Sequence, residues 1–312
     1  MNSPTELSIL LTGAAGFIGG HLGNALVSRG NIVWGIDSRI HPSTNPLNFF
    51  CEQADCRWED LMELRAHGKD AIVHLAALIN VDFSAKLPLG VWSNNVDSTL
   101  TVLETARRND LMVVLASSSE IYGTCQATFI DERHPLDGMS PYAASKTACD
   151  RVAFAYKETY GLDVRIIRLF NAFGPHQAHD GYGSVIAKFT SAALQGKPMQ
   201  IYGNGEQRRD YIYVDDAVEA YFLALSSGPW DAPLNIGTGT TVSINEVAHK
   251  IADIVYPEDS GPKARWEYTN PRAGEVDCLR CDASKARKMK WEPKVAFSDG
   301  LKRYVDWAKV QT

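Results

Sequence analysis

One stretch limits the folds open to this chain more than any other. Leu7-Ser8-Ile9-Leu10-Leu11-Thr12 runs into Gly13-Ala14-Ala15-Gly16-Phe17-Ile18-Gly19-Gly20. The apolar beginning reads as a buried strand, and the glycines break it into a helix. Without a Cβ, the backbone at Gly13 and Gly16 turns tightly and approaches a ligand, while Gly19 lets the helix lie close on a sheet. The N–H groups at the helix start, at Phe17 and Ile18, then attract a phosphate. A second apolar run, Ile32-Val33-Trp34-Gly35-Ile36, ends in Asp37, near the ~20-residue offset at which an acidic side chain meets an adenosine ribose. That carboxylate repels a 2′-phosphate, so NAD is favoured over NADP, with Arg39 as the one nearby countercharge.

Length and charge narrow the partners. The 312 residues carry 31 basic and 37 acidic side chains, a net charge of −6 that offers no basic field for nucleic acid. A small-molecule partner is expected. Residues 8–11 run straight into glycines rather than into an apolar stretch of signal length, and no run reaches the ~18–20 apolar residues of a membrane span. The expectation is a cytoplasmic protein. Its six cysteines (Cys51, Cys56, Cys125, Cys149, Cys278, Cys281) read as free thiols. Cys278-x-x-Cys281 has metal spacing but no second pair nearby, so it reads as part of a short strand. His176 and His179 lack accompanying ligands and read as a solvated loop, and no metal site is assigned.

Further along, His41 to Asn48 is polar and proline-bearing and reads as a loop. Asp60-Leu61 follows a short extended piece and is expected where a third strand ends near the adenine. Ala71-Ile72-Val73-His74-Leu75-Ala76-Ala77 is apolar enough to be buried on both faces, and its small terminal residues leave room beside a cofactor. Asn94-Asn95-Val96-Asp97-Ser98 starts a long helix to about Arg108, with Val96, Thr99, Leu100 and Leu103 as its stripe. Leu111 to Ala116 makes another buried strand, ending in Ser117-Ser118-Ser119-Glu120. Such alternation predicts an α/β class, with a parallel doubly wound sheet that binds ligands beyond the carboxyl ends of its strands. The serines fall at such an end. Ser140-Pro141-Tyr142-Ala143-Ala144-Ser145-Lys146 opens a helix that puts Tyr142 and Lys146 on one face. An ammonium beside a phenol, together with a positive nicotinamide ring, is expected to lower the tyrosine pKa from about 10 toward working pH and make a general base.

With these residues the chain resembles an extended short-chain dehydrogenase/reductase of the nucleotide-sugar epimerase/dehydratase family, over essentially its whole length. The likeness extends through Arg168-Leu169-Phe170-Asn171-Ala172-Phe173-Gly174-Pro175, the run from Ile201 to Tyr211, Val214-Asp215-Asp216, Asn235-Ile236-Gly237 and Arg272-Ala273-Gly274-Glu275. It implies a Rossmann-like sheet with a smaller α/β substrate-binding domain. NAD would lie on residues 1–170 with about 211–240, and the nucleotide sugar on 171–210 and 241–312. Beside the glycines and Asp37, the implied cofactor contacts are Asp60, Leu61, Leu75, Ala76, Ala77, Asn95, Tyr142 and Lys146. Arg209 and Arg272 match the pair that grips the diphosphate, whose oxygens suit guanidinium forks. Asn171 would touch the sugar or diphosphate, Gln200, Tyr202 and Glu275 would line the nucleoside, and Ser118, Ser119 and Val185 complete the substrate set.

The resemblance also implies the chemistry. Tyr142 takes the proton of a sugar C4 hydroxyl, Ser118 hydrogen-bonds the developing carbonyl, and Lys146 holds the nicotinamide ribose. A 4-epimerase needs no further acid or base, whereas a 4,6-dehydratase needs a carboxylate at C5. Glu120 stands where dehydratases and UDP-glucuronate decarboxylases often carry glutamate, yet Ser119 replaces the aspartic acid of glucose-type dehydratases. Compact length and the Gly-Asn-Gly-Glu-Gln-Arg-Arg-Asp stretch look most like short UDP-glucose-type 4-epimerases. His176, where arginine is frequent, weakens a decarboxylase. A 4-epimerase on a UDP-hexose is therefore the leading expectation, with a dehydratase (4,6- or 5,6-) second, a decarboxylase third, and a non-catalytic NAD sensor as the reading from another class. The resemblance further implies a homodimer, with Ala143, Ala144, Ala148, Val152 and Ala155 as a small-residue surface that an intramolecular helix face explains equally well.

Overall fold

Apolar, β-branched runs form strands because their side chains pack on both faces of a covered sheet. The computed structural model describes residues 6–39, 46–177, 184–257, 265–272 and 274–311. In chain order they form β1 (Ser8–Thr12), α1 (Phe17–Ser28), β2 (Ile32–Asp37), β3 (Phe50–Gln53), α2 (Glu59–Ala66), β4 (Ala71–His74), α3 (Val81–Lys86) and α4 (Pro88–Trp92). A π-helical turn, Ser93–Asp97, leads into α5 (Ser98–Asn109), then β5 (Met112–Ser118), a 3-10 turn (Ser119–Tyr122), α6 (Pro141–Tyr160), β6 (Val164–Leu169) and β7 (Asn171–Phe173). The remainder holds α7 (Val185–Leu194), β8 (Met199–Tyr202), β9 (Arg208–Tyr213), α8 (Val214–Ser226), β10 (Leu234–Ile236), β11 (Thr241–Ser243), α9 (Ile244–Val255), β12 (Trp266–Thr269), β13 (Cys278–Leu279), α10 (Ser284–Lys288) and α11 (Phe297–Gln311).

Seven strands make the main sheet, in the order β10-β6-β5-β4-β1-β2-β3. The pairings from β3 through β2, β1 and β4 to β5 are all parallel. This is the expected doubly wound α/β sheet. Two compact units divide the chain: residues 1–121, 140–168 and 218–234, and residues 122–139, 169–217 and 235–312. The first has a core of Leu10, Ile36, Met62, Ile72, Val102, Leu103, Val113 and Leu115 around the sheet. Each such side chain, once buried, contributes roughly 1.5–3 kcal/mol. The second is built on β11, β9 and β13, with β7 paired to β9 and a separate pair β12-β8. Its aromatic centre joins Phe173, Tyr211, Tyr213 and Phe297. A Cβ on Gly300 would come within 2.7 Å of the Tyr213 ring and 2.9 Å of the Phe173 ring, so α11 lies against these rings only with glycine there.

Three local expectations are corrected. Asp60 and Leu61 do not follow a strand end. β3 stops at Gln53, the Ala54 N–H donates to the Asp37 carbonyl at 2.9 Å, and Asp60 sits exposed in the first turn of α2. The strand-end position belongs to Ala54-Asp55-Cys56; Leu61 packs on the core from the helix. The helix expected from Asn95 begins instead as the π turn, and of the expected stripe Val96, Thr99 and Leu103 are buried while Leu100 is 38% exposed. Finally, β4 ends at His74, leaving Leu75, Ala76 and Ala77 beyond the strand. Residues 41–45 of the first expected loop, and 178–182 after Pro175 with His179 among them, lie outside the described residues.

Cys278 lies in the short strand β13, as expected, with Cys281 just beyond it, and all six thiols are free. Among the described residues no cluster of His, Cys, Asp or Glu is arranged for a metal ion, and no helix is long and apolar enough to cross a membrane.

Candidate active site

The glycine loop is shaped by close approaches that side chains would forbid. Gly13 has a left-handed φ of +69°, and a Cβ there would stand 2.6 Å from the Ala76 nitrogen. A Cβ on Gly19 would stand 2.0 Å from the Gly13 carbonyl oxygen. Both positions therefore exclude any larger residue. Gly16 caps α1 without any side-chain hydrogen bond, and no acidic residue occupies the first turn. The N–H groups at Phe17 and Ile18 thus open a helix start suited to an anion. Asp37, at the end of β2, accepts the Ala15 N–H at 3.0 Å and the Arg39 N–H at 3.0 Å. Burial raises its carboxyl above the usual range, opposed by those N–H bonds and by the Arg39 charge. A bare-backbone cradle ending in a fixed carboxylate fits a dinucleotide with a free ribose 2′-hydroxyl.

Asn95 is buried in the π turn. Its Oδ1 accepts the Leu78 N–H at 2.8 Å, and its Nδ2 donates to the Leu78 carbonyl at 3.1 Å and to Ser145 Oγ at 2.9 Å. It thereby holds the segment after Ala76 and Ala77 to α6.

The reactive groups meet at the end of β5. Ser140 caps α6, its side chain accepting the Ala143 N–H at 3.1 Å, and Pro141 opens the helix with the φ it requires. Tyr142 and Lys146 follow on one buried face. Ser118 lies close enough to Tyr142 to oppose the effect of burial on its hydroxyl, and Ser118 Oγ accepts the Glu120 N–H at 3.2 Å. Ser119, beside them, is buried. Lys146 Nζ donates to the Ala116 carbonyl at 2.9 Å.

The chain's own groups, without a cofactor ring, act on Tyr142 in the other direction. Burial raises the Tyr142 pKa well above its ordinary value; Ser118 opposes this, and the nearby Glu120 and Cys149 raise it further. Lys146 is tied to a carbonyl and loses basicity itself through burial. The chain's own groups thus favour the phenol form of Tyr142.

The second unit carries the residues assigned to the substrate other than Ser118 and Ser119. Arg209 is buried: Nη1 donates to the Arg208 carbonyl at 3.0 Å and the Val276 carbonyl at 2.6 Å, and Nη2 to Glu275 Oε1 at 2.6 Å. Arg272 lies with its guanidinium carbon 4.1 Å from the Tyr202 ring centroid. Gly274 has a left-handed φ of +70°, and a Cβ there would stand 2.6 Å from the Met139 carbonyl oxygen; Ala273 lies outside the described residues. Asn171 Nδ2 donates to the Asp210 carbonyl at 3.2 Å. Gln200 is exposed on β8, two residues from Tyr202 and so on the same strand face. Val185 opens α7 behind the Ser184 cap. Among the described contacts, Arg209 joins Glu275 and Arg272 joins Tyr202, while Gln200 and Val185 join neither pair.

Sequence reasoning missed the strand-end residues Ala54-Asp55-Cys56 and the engagement of Glu275 by Arg209. The first had only a weak signal, because the strand before it, Phe50-Cys51-Glu52-Gln53, is half polar. The second had none, because the partners are 66 positions apart.

Comparison with known proteins shows the family. The family described as GDP-mannose 4,6 dehydratase matches residues 10–304. The UDP-glucose 4-epimerase of Mycolicibacterium smegmatis is 35% identical, over 96% of this chain and 97% of its own. The UDP-glucose 4-epimerase of Thermotoga maritima, solved with UDP-glucose, superposes with a TM-score of 0.90 at 31% identity, covering 98% of this chain and 99% of that one. The dTDP-glucose 4,6-dehydratase DesIV of Streptomyces venezuelae, solved with NAD, does so with a TM-score of 0.89 at 31% identity and 97% coverage of both chains. Fold, glycine cradle, Ser118–Tyr142–Lys146 set and full-length likeness converge: the chain belongs to the GDP-mannose 4,6 dehydratase family, the NAD-dependent nucleotide-sugar epimerases and dehydratases of the extended short-chain dehydrogenase/reductase class.

Proposed function

We propose that the protein is a nucleotide-sugar 4-epimerase acting on a UDP-hexose through a transient 4-keto sugar. The observation that carries this reading is the pair Tyr142 and Lys146 on one buried face of α6, next to Ser118 at the end of β5 and with a neutral serine at 119. Inversion at C4 requires one proton shuttle, and this pair supplies it. Bound NAD supplies a reversible two-electron acceptor and a positive ring whose field opposes the effect of burial on Tyr142. Tyr142 removes the proton from O4 and later returns it to the opposite configuration. Ser118 donates a hydrogen bond to O4 as it becomes a carbonyl. Arg209 and Arg272 hold the diphosphate, Arg209 with its fork oriented by Glu275. Asp37 holds the adenosine ribose, and Tyr202 lies along the nucleoside. The full-length likeness to UDP-glucose 4-epimerases supports the choice of sugar and base. We also propose a homodimer, with Ala144 and Ala155 exposed on α6 as part of its surface; a monomer mass by light scattering at micromolar concentration would refute that.

A 4,6-dehydratase is the second reading, favoured by one observation: the Glu120 carboxylate lies close enough to Tyr142 to raise its pKa. There Glu120 would remove the C5 proton of the keto sugar. Incubation with UDP-glucose, UDP-N-acetylglucosamine, UDP-glucuronate, GDP-mannose and dTDP-glucose in deuterated water separates the two by mass spectrometry and proton NMR. Inverted C4 without deuterium uptake is the expected result. Loss of water with deuterium in the sugar would replace the epimerase by the dehydratase.

A further inference from the structure

β4 ends in an ionisable side chain that the chemistry above leaves unused. His74 is 1% exposed. Its Nδ1 lies 2.7 Å from Thr12 Oγ1, and its Nε2 lies 3.3 Å from Thr99 Oγ1 and 3.5 Å from Ser98 Oγ. Counting protons gives each bond a direction. Thr99 Oγ1 donates to the Asn95 carbonyl at 2.7 Å, and Ser98 Oγ donates to the same oxygen at 3.2 Å. Neither hydroxyl proton is then left for the ring, so Nε2 carries the hydrogen. At the other end, Thr12 Oγ1 accepts the Ala76 N–H at 3.4 Å and gives its own proton to Nδ1.

The bonds therefore form a one-way chain from the Ala76 N–H through Thr12, His74 and Thr99 to the Asn95 carbonyl. The Asn95 side chain continues it to Ser145 Oγ, which donates to the Tyr142 carbonyl at 2.7 Å. Its stations include the strand bearing the glycine turn, two positions assigned to the cofactor, and the backbone of the assigned base. The π turn matters here, because its widened backbone presents the Asn95 carbonyl to side-chain donors, the Cys149 thiol at 3.3 Å among them.

We propose that His74 is a positioning residue of the cofactor site, a neutral imidazole protonated on Nε2 that ties the ends of β1 and β4 to the Asn95 turn and to α6. An apolar residue of equal size would fill the space but leave the Thr12 and Thr99 hydroxyls without their partner. The ionisable groups of α6 on this side are Lys146, whose charge acts on the ring, and Cys149, which lies 3.2 Å from Thr99 Oγ1. The Lys146 charge and burial both oppose a second ring proton. The link to Tyr142 rests on the function proposed above; the link between the two cofactor edges rests only on the family's use of NAD.

The test needs no sugar. In nitrogen-15 spectra of the NAD-loaded full chain, His74 is expected as the Nε2–H tautomer, unchanged from pH 8 to pH 5. An Nδ1–H tautomer, or titration of His74 within that range, overturns the proposal. In parallel, the NAD dissociation constant is measured for Thr12→Val, Thr99→Val and the double variant. Each single change is expected to weaken NAD about tenfold, and the pair by little more than either alone, since one break already uncouples the edges. A Thr99→Val protein that binds NAD within about twofold of the parent, or a double variant showing the full product, also overturns it. If instead Tyr142→Phe proves active while these results hold, the assignment of the base fails and that of His74 stands.

Discussion

The two units build the surfaces proposed for their ligands by opposite means. In the first, the proposed surface is made by missing atoms, bare backbone at Gly13, Gly16 and Gly19, with the neutral Thr12–His74–Thr99 hydrogen bonds buried behind it. In the second it is made by charge, with Arg209 oriented by Glu275 and Arg272 laid over Tyr202. Asp210, buried beneath, accepts N–H bonds from Thr238, Gly239 and Cys281. The contrast suits the two ligands proposed. A cofactor common to a whole family needs one unchanging cradle, and steric exclusion provides it. A diphosphate whose attached sugar varies is better gripped by forked cations, which fix the phosphates and leave the sugar to other contacts.

Removing the proton shuttle sharpens the contrast most. Tyr142→Phe keeps the cradle and the arginines and should lower kcat by roughly 10²–10⁴-fold with NAD still bound, read from product formation and the cofactor content of the purified protein. Next in size is Gly13→Ala. Left-handed backbone alone costs roughly 1–3 kcal/mol, and the collision with Ala76 adds to it, so both thermal stability and retained NAD should fall. Equal NAD content in this variant would break the claim that sterics build the first proposed surface.

Acid should act on the first unit through His74, whose pKa burial pushes down to about 3 from 6.5. Because the unfolded chain binds this proton first, stability is complete above about 6.5 and is lost as pH falls toward 3. The limiting slope is ~1.4 kcal/mol per pH unit. His74→Gln should flatten that slope in denaturant titrations, and an unchanged slope would contradict the neutral buried ring. In the second unit, Arg209→Lys keeps the charge but loses the fork. KM for UDP-glucose should rise about tenfold while NAD affinity stays as it was. The smallest effect is expected from Glu120→Gln. Removing the negative charge that raises Tyr142 moves the ascending, acid-side limb of the kcat profile to lower pH.

What could be read ahead of the coordinates was whatever depends on near neighbours in the chain. Glycine spacing, apolar runs, the helix start at Pro141, and Tyr142 four residues before Lys146 are set by backbone sterics and helical repeat. They appear where expected, save that the run 71–77 is a strand only as far as His74. The family likeness carried Arg209, Arg272 and Asn95 as well, though not what each would touch. Three matters were settled by packing across long separations. Asp60 lost the strand end to Asp55 because β3 halts where Ala54 bonds to Asp37. The helix start became a π turn at Ser93–Asp97, and Leu100 of the expected stripe stayed 38% exposed. Burial, rather than the neighbouring Lys146, sets the direction of the Tyr142 pKa. Desolvation and pairing depend on what surrounds a group on every side, and partners such as Thr12 and His74, 62 positions apart, meet only once the sheet has formed.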